Sequence, residues 1–477
     1  MTTRPLAILA LLCGLLFGGL LVFVPPATFL LALIAVVVGL LVLRTPFYGL
    51  AGFALSATFM PLATVRLGIR ITVCEALLAA AWAGTVWQLF TQQLQWHWGR
   101  TEKALALLMV FSVIPFLVGQ VTIHAEGNGP VNWIRWLLNL STLWLVPLLL
   151  PDLRRRELLV NLLLLGNLAM LVISLGMFAR HRNALDMIPL LKHLHYAHPE
   201  AMQDIFGGMR NRLGTPWVHP NLSGGALILF APLAMVLALV RRGWGRVLAL
   251  AVAVLAAVAI VLTGSRGALL SMAVILLWMA WTGIPTSRRL IVGGLALSLG
   301  LALFYPPLQK RLSTMFDASN ASTEVRMDEY RHFPQAMARY PLGIGFKTDP
   351  PVPGSGLLGI SNLWLNYVYK IGLPGMLLFC VVLGQWWRET RPQGRSQRPT
   401  PANAIWLGSL AGLGGALLTG VFDHYYSFTM VLVALFWLML GLNLQGARQR
   451  PDSTTAGPQP EADHDLTARL GPPGGLP

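Results

Sequence analysis

The feature that most constrains this fold is a succession of uninterrupted apolar runs, each long enough to hold a helix in hydrocarbon. About 20 such residues cross a bilayer core as a helix, which satisfies every backbone group internally. The runs lie near 6–24, 27–43, 47–65, 71–90, 104–123, 133–150, 158–178, 221–240, 247–263, 267–283, 289–304, 361–383, 402–420 and 427–445. That is about fourteen, falling to twelve if the closely packed pairs 6–43 and 47–90 include re-entrant segments. The expected fold is an all-α integral membrane protein with about 12–14 transmembrane helices. Composition agrees: 11% of residues are charged, against roughly 25% in soluble domains. The run at 6–24 follows Arg4 like a signal peptide, but it is long, lacks a small-x-small cleavage site and leads into further spans. It is expected to be retained.

Orientation follows from the short loops. Every second one is basic: Arg44, Arg100 with Lys103, Arg154 to Arg156, Arg241 with Arg242 and Arg246, Arg288 with Arg289, and Arg388, Arg391, Arg395 and Arg398. Basic short loops stay in the cytoplasm, so both chain ends are expected inside and loops 179–220 and 305–360 outside. The formal charge of +16 is then an orientation signal. No soluble basic domain remains to hold a nucleic acid. Residues 1–450 form the membrane domain, and 451–477, rich in Pro, Gly, Ser and Thr, a disordered cytoplasmic tail. Asp463-x-Asp465 falls in that tail, a poor platform for a metal pair. The three cysteines lie within apolar runs as packing residues, and no metal-ligand spacing is present.

Polar residues gather on the expected outer face. Loop 179–220 holds Arg180, Arg182, Lys192, Arg210, Arg212, His181, His193, His195, His198 and His219. Loop 305–360 holds Lys310, Arg311, Arg326, Arg331, Arg339, Lys347 and His332. Arg266 stands between two apolar runs in TGSRGALL, at the outer boundary. An ionisable group there either snorkels at a tight turn or faces a ligand. Arginine suits a phosphate-bearing ligand, because its planar fork bonds phosphate oxygens in pairs and keeps its charge. Arg210, Arg212 and Arg266 at one edge favour a polyanion such as a lipid-linked pyrophosphate. His219-Pro220-Asn221 also reads as a helix start, YPLGIGF as turn glycines, and the tryptophans, Trp217 among them, as boundary markers. His193, His195 and His198 read as solvated loop surface.

Four motifs in order carry a family resemblance: RLGTPWVHPNLSGGALILFAPLA (212–234), TGSRGALL (263–270), the stretch from EVRMDEY through YPLGIGF to SNLWLNYVYKIGLPG, and FDHYYS (422–427). Together they resemble the O-antigen ligase and O-antigen polymerase superfamily over roughly residues 160–445. The resemblance implies a C-type, metal-independent glycosyltransferase of the bacterial inner membrane with two long periplasmic loops and no cofactor. Its donor would be a glycan on undecaprenyl pyrophosphate. Its acceptor would be lipid A–core for a ligase, another carrier-linked chain for a polymerase, or a protein. A transporter or flippase is the alternative of another class, and would be expected to line a mid-membrane cavity with charges.

Carried over by position, Arg210, Arg212 and Arg266, with His219, Asn221 and Arg326, are expected to bind the pyrophosphate. One departure stands out: family ligases usually carry His-Asn where this chain has Ser361-Asn362. A serine hydroxyl is no base near neutral pH, whereas imidazole is. The base is therefore expected to be His424, oriented by Asp423 at a rigid helix end, ahead of His332.

Overall fold

The computed structural model describes residues 26–207 except 68, 97, 125 and 126, then 211–284, 321–350 and 359–449 except 395, 396 and 429, with 292–294, 296, 300 and 303 as isolated positions. The expected span at 6–24, most of 289–304, Arg210 and the tail 451–477 lie outside the described residues.

The apolar runs fold as helices with loops at the alternating polar stretches. The first half comprises α1 (Pro26–Arg44), α2 (Phe47–Phe59), the short strands β1 (Thr64–Leu67) and β2 (Ile69–Thr72), α3 (Val73–Phe90), α4 (Arg100–Phe111) continued by α5 (Val113–Thr122), α6 (Gly129–Leu140) continued by α7 (Thr142–Leu149), and α8 (Leu153–His181). Two short helices follow, α9 (Ile188–His193) and α10 (Ala201–Phe206). The second half comprises α11 (Pro220–Val240), α12 (Gly243–Thr263), α13 (Arg266–Trp281), α14 (Ala321–Arg339), α15 (Leu363–Thr390), α16 (Ala404–Thr419), the single turn α17 (Tyr425–Phe428) and α18 (Met430–Arg448). Among the described residues seven helices, or eight with one bent pair, are long and apolar enough to cross a membrane. The chain is an all-α polytopic membrane protein.

Three details depart from a simple reading of apolar runs. The runs 27–43 and 47–65 become a pair bent by 120° between Arg44 and Phe47. Strands β1 and β2 pair antiparallel as a hairpin, with Thr64 opposite Thr72. Tyr196 bridges to Ala63 and its hydroxyl accepts from the Leu62 amide at 3.4 Å, so residues 184–206 lie over the hairpin as a small separate core. The run 133–150 is two helices meeting at Ser141.

Helices α11 and α18 form the centre, each with 89% of its apolar window buried, whereas the α4–α5 span has 28% buried. A helix apolar all round is what a site surrounded by other helices requires. Small residues let α16 approach α11 closely: a Cβ on Gly412 would strike the Leu229 carbonyl, and one on Gly408 would sit 2.8 Å from Leu233 Cα.

The side-chain contacts sort the helix ends into two groups. At one end Arg448 bonds Glu102 at 2.5 and 2.8 Å and Glu389 at 2.7 Å, while Arg241 donates to Asn161 at 2.6 Å. This end collects Arg154, Arg155, Arg156, Arg241 and Arg388, the basic loops of the sequence pattern. The opposite end carries the loops that begin α11, α13, α15 and α17.

Helix α15 is broken near that opposite end. Ile371 and Gly372 leave helical geometry, with Gly372 at φ +72°, and Pro374 removes a further donor. The YPLGIGF loop answers the break: the Ile344 and Gly345 amides donate to the Tyr369 and Lys370 carbonyls, each at 2.9 Å. Gly343 at φ +88° and Gly345 at φ +71° give the turn that brings it there. Lys347 then caps α5, donating to the Gln120 and Ile123 carbonyls at 3.0 and 2.8 Å. The loop reading of YPLGIGF thus acquires a physical purpose.

Candidate functional site

Five segments converge at the end opposite the basic loops. The first is the approach to α11. His219 is the N-cap, with Pro220 in the first turn, and its Nδ1 accepts from the Asn221 amide at 3.2 Å. Arg212, only 7% exposed, reaches back to this turn, donating from Nη2 to Asn221 Oδ1 at 2.8 Å and from Nε to the Thr263 carbonyl at 2.5 Å. It therefore ties the start of α11 to the end of α12. Part of its fork is committed to protein, so it presents less of itself to a ligand than the sequence reading expected.

The second segment is the turn between α12 and α13. Gly264 closes α12 in the left-handed region at φ +60°, and Ser265 caps α13 through the Ala268 amide at 3.4 Å. This sets half-buried Arg266 as the first residue of α13, where the helix begins. Partial burial, and then the nearby charge of Arg326, lower its guanidinium below the ordinary value.

Arg326 comes from α14, the third segment, and its Nε is a buried donor with no hydrogen-bond partner. Three residues on, hence on the same face of the helix, stands Glu329, 4% exposed. It meets the fourth segment: Ser361 donates from its amide to Oε2 at 2.7 Å and from its hydroxyl to Oε1 at 2.9 Å. Burial raises the Glu329 carboxyl above the usual carboxylate range, offset in part by Ser361 and by the charges of His424 and Arg326. Asn362 beside it caps α15 through the Trp364 and Leu365 amides at 3.0 and 3.1 Å and donates to the Val421 carbonyl at 2.9 Å. These contacts give Asn362 the task of holding the turn.

The fifth segment is Asp423–Ser427. Buried Asp423 accepts from the His424 amide at 3.0 Å, and its Oδ1 lies 3.5 Å from His424 Nδ1, an ion-pair distance without a hydrogen bond at that nitrogen. Tyr425 is buried and kept a neutral phenol by burial and then by the Asp423 charge. Its hydroxyl lies 3.3 Å from His219 Nδ1, and Tyr426 pins the turn to α11 by donating to the Gly225 carbonyl at 2.6 Å.

The structure thus gathers Arg212, His219, Asn221, Arg266, Arg326, Ser361, Asn362, Asp423 and His424 at one end. His332, three residues beyond Glu329 on α14, has its Nδ1 2.9 Å from the Asp328 carbonyl and 3.2 Å from Asp328 Oδ1, both on its own helix. One residue of the site, Glu329, was not singled out from the sequence. The signal for Glu329 was the three-residue spacing from Arg326, which places them together only once residues 321–339 are recognised as helix. Among the described residues no group of three or more His, Cys, Asp or Glu forms a metal-binding cluster.

Burial pushes the His219 imidazole down to about 4, opposed by Asp423 and reinforced by Arg212 and His424. A histidine normally titrates near 6.5, so the folded protein holds this one neutral. Stability from a depressed group is present above the unfolded value and lost as pH falls towards the folded one. Thermal unfolding of the protein in detergent should therefore occur at falling temperature from pH 6.5 to 4. His219→Asn should flatten that slope; an unchanged slope would assign the acid sensitivity elsewhere.

Comparison with known proteins bears on residues from three of the five segments. No curated protein matches the chain. Residues 251–380, which hold Arg266, Arg326, Glu329, Ser361 and Asn362, match the family model described as O-Antigen ligase, which supports the O-antigen ligase and polymerase superfamily.

Proposed function

We propose that this chain is an O-antigen ligase-type glycosyltransferase that moves a glycan from undecaprenyl pyrophosphate to lipid A–core on the periplasmic side of the bacterial inner membrane. The observation that supports this reading is the buried Nε of Arg326, which lacks a hydrogen-bond partner, three residues from buried Glu329 and near enough to Arg266 for their charges to act on each other. In the transfer, the acceptor hydroxyl oxygen bonds to the sugar C1 and the bond from C1 to the pyrophosphate oxygen breaks. The electron pair leaves with the pyrophosphate, whose growing charge the arginine pair stabilises. The acceptor proton goes to Glu329, whose burial makes its carboxylate a stronger base than an exposed glutamate. His424, whose charge acts on Glu329, steadies the carboxylate. In this chain Glu329, held by Ser361, takes the task that the resemblance gives to a histidine at position 361, and no step calls for a metal.

A polymerase, or a protein glycosyltransferase of the same superfamily, would use the same donor chemistry with another acceptor. A transporter is disfavoured by where these groups gather, since alternating access places its substrate groups near mid-membrane. Deleting the gene and separating the surface polysaccharide by size tests the choice. Loss of long chains from lipid A–core is the expected outcome, whereas single-repeat caps would indicate a polymerase. Alkaline phosphatase fused after Lys347 should be active and fused after Arg395 inactive. The reverse pattern would put the site in the cytoplasm.

A further inference from the structure

A cavity of about 330 Å³ opens beside α17, away from the arginine pair. One wall is aromatic. Trp136 and Phe428 stack with centroids 5.6 Å apart and planes 10° apart, and Phe346 leans on both at 5.3 and 5.8 Å. Apart from Met430 and Val433, the remaining lining is polar. Lys370 stands 5.5 Å above the Phe428 ring and pairs with Asp349. Asn139, 1% exposed, lines the cavity with its Oδ1 buried and without a hydrogen-bond partner, while its Nδ2 is used by the Arg135 carbonyl at 2.8 Å.

An unsatisfied buried amide oxygen is costly, and what satisfies it is a hydroxyl or N–H donor. A prenyl chain has none. A free anion is poorly matched, because the Lys370 charge already has a carboxylate beside it. A sugar ring supplies what is missing: hydroxyls that donate to Asn139 and Asp349 and accept from Lys370, and C–H faces that lie on aromatic rings. The volume is at the small end of ligand sites, ~300–1,000 Å³, which suits a short stretch of glycan. The cavity also adjoins the reacting groups. Trp136 Nε1 donates to the Ser427 carbonyl at 3.0 Å, and Ser427 Oγ donates to the His424 carbonyl at 2.5 Å. Phe428 lies four residues beyond His424.

We propose that this cavity is a saccharide subsite, in which Asn139, Asp349 and Lys370 with the Trp136–Phe428 wall hold a sugar ring of the glycan being transferred or extended. The proposal deepens the transferase reading and rests on it.

Saturation-transfer NMR on the full chain in detergent tests it. One probe is the repeat-unit oligosaccharide released by mild acid from the same cells' surface polysaccharide, and the other is undecaprenyl pyrophosphate bearing no glycan. The oligosaccharide should show transfer from the wild type and at least tenfold weaker binding in Asn139→Leu. It should weaken likewise in Thr348→Trp, which fills the exposed rim and leaves the core untouched. Glycan-free carrier should bind these two variants as it binds the wild type and should be lost in Arg266→Ala. Oligosaccharide binding that is absent from the wild type, or unchanged in both cavity variants, would overturn the subsite. Carrier binding that survives Arg266→Ala while the sugar still depends on Asn139 would instead count against the pyrophosphate assignment alone.

Discussion

Arg266→Ala is expected to lower glycan transfer by about 10²–10³-fold while leaving protein level near that of the wild type. The magnitude is that of removing one preplaced donor from a site of developing negative charge. Protein level should hold because Arg266 stands at the first position of α13, which Ser265 caps independently. Arg266→Lys should recover little, since a point charge cannot reproduce the two-pronged contact with phosphate oxygens. Arg212→Ala should behave differently, because it strips the Thr263 carbonyl and Asn221 of a buried donor. Its first effect should be on the amount of folded protein, by roughly 1–3 kcal/mol for each group left unsatisfied. Measuring transfer per mole of folded protein, with folding read by size-exclusion chromatography, separates the two. Full activity in Arg266→Ala would reduce that residue to one that merely snorkels at a turn.

Glu329→Gln is expected to cost about 10²–10⁴-fold in kcat, the usual worth of a positioned base. The amide keeps the volume and still accepts one hydrogen bond from Ser361, so the local structure should survive. The pH profile is the sharper readout. In the wild type, activity should fall as pH drops through a value above the ordinary carboxylate range, because burial raises Glu329 and only the ionised form takes a proton. That acidic limb should vanish in Glu329→Gln. His424→Ala should shift the limb upward, since it removes a charge that favours the ionised carboxylate, with a smaller loss of rate. His332→Ala should match the wild type. If His424→Ala instead abolishes transfer and Glu329→Gln retains it, the base is the imidazole at the start of α17, as the sequence alone suggested.

The contrast between those two candidates shows what could be read without coordinates. The runs at 221–240, 247–263 and 402–420 coincide with α11, α12 and α16 to within a few residues, because long apolar stretches between polar turns leave little freedom. The helix start at His219-Pro220-Asn221 was likewise legible, since capping depends on neighbours in sequence. Hydropathy sums over a window and is blind to geometry inside it. It therefore read 361–383 as one span, although Gly372 and Pro374 mark the break that the YPLGIGF loop fills. Residues 321–339 carry many charges and read as loop, so the helical face that presents Arg326 and Glu329 together stayed hidden. The Ser361–Glu329 contact joins residues that no local pattern links, and neither does Arg212 with Thr263. The residues of the site were largely visible; which of them spend their hydrogen bonds on the protein itself was not.

The central claim is that a bond is broken here, between a glycan and its pyrophosphate carrier. Reconstituting the purified chain in liposomes with glycan-loaded undecaprenyl pyrophosphate, lipid A–core and a chelator measures it directly. The account predicts glycosylated lipid A–core and free undecaprenyl pyrophosphate appearing in equal amounts, both lost in Arg266→Ala. Carrier-linked glycan that changes leaflet with its pyrophosphate bond intact, and no product, would contradict it and make the protein a transporter.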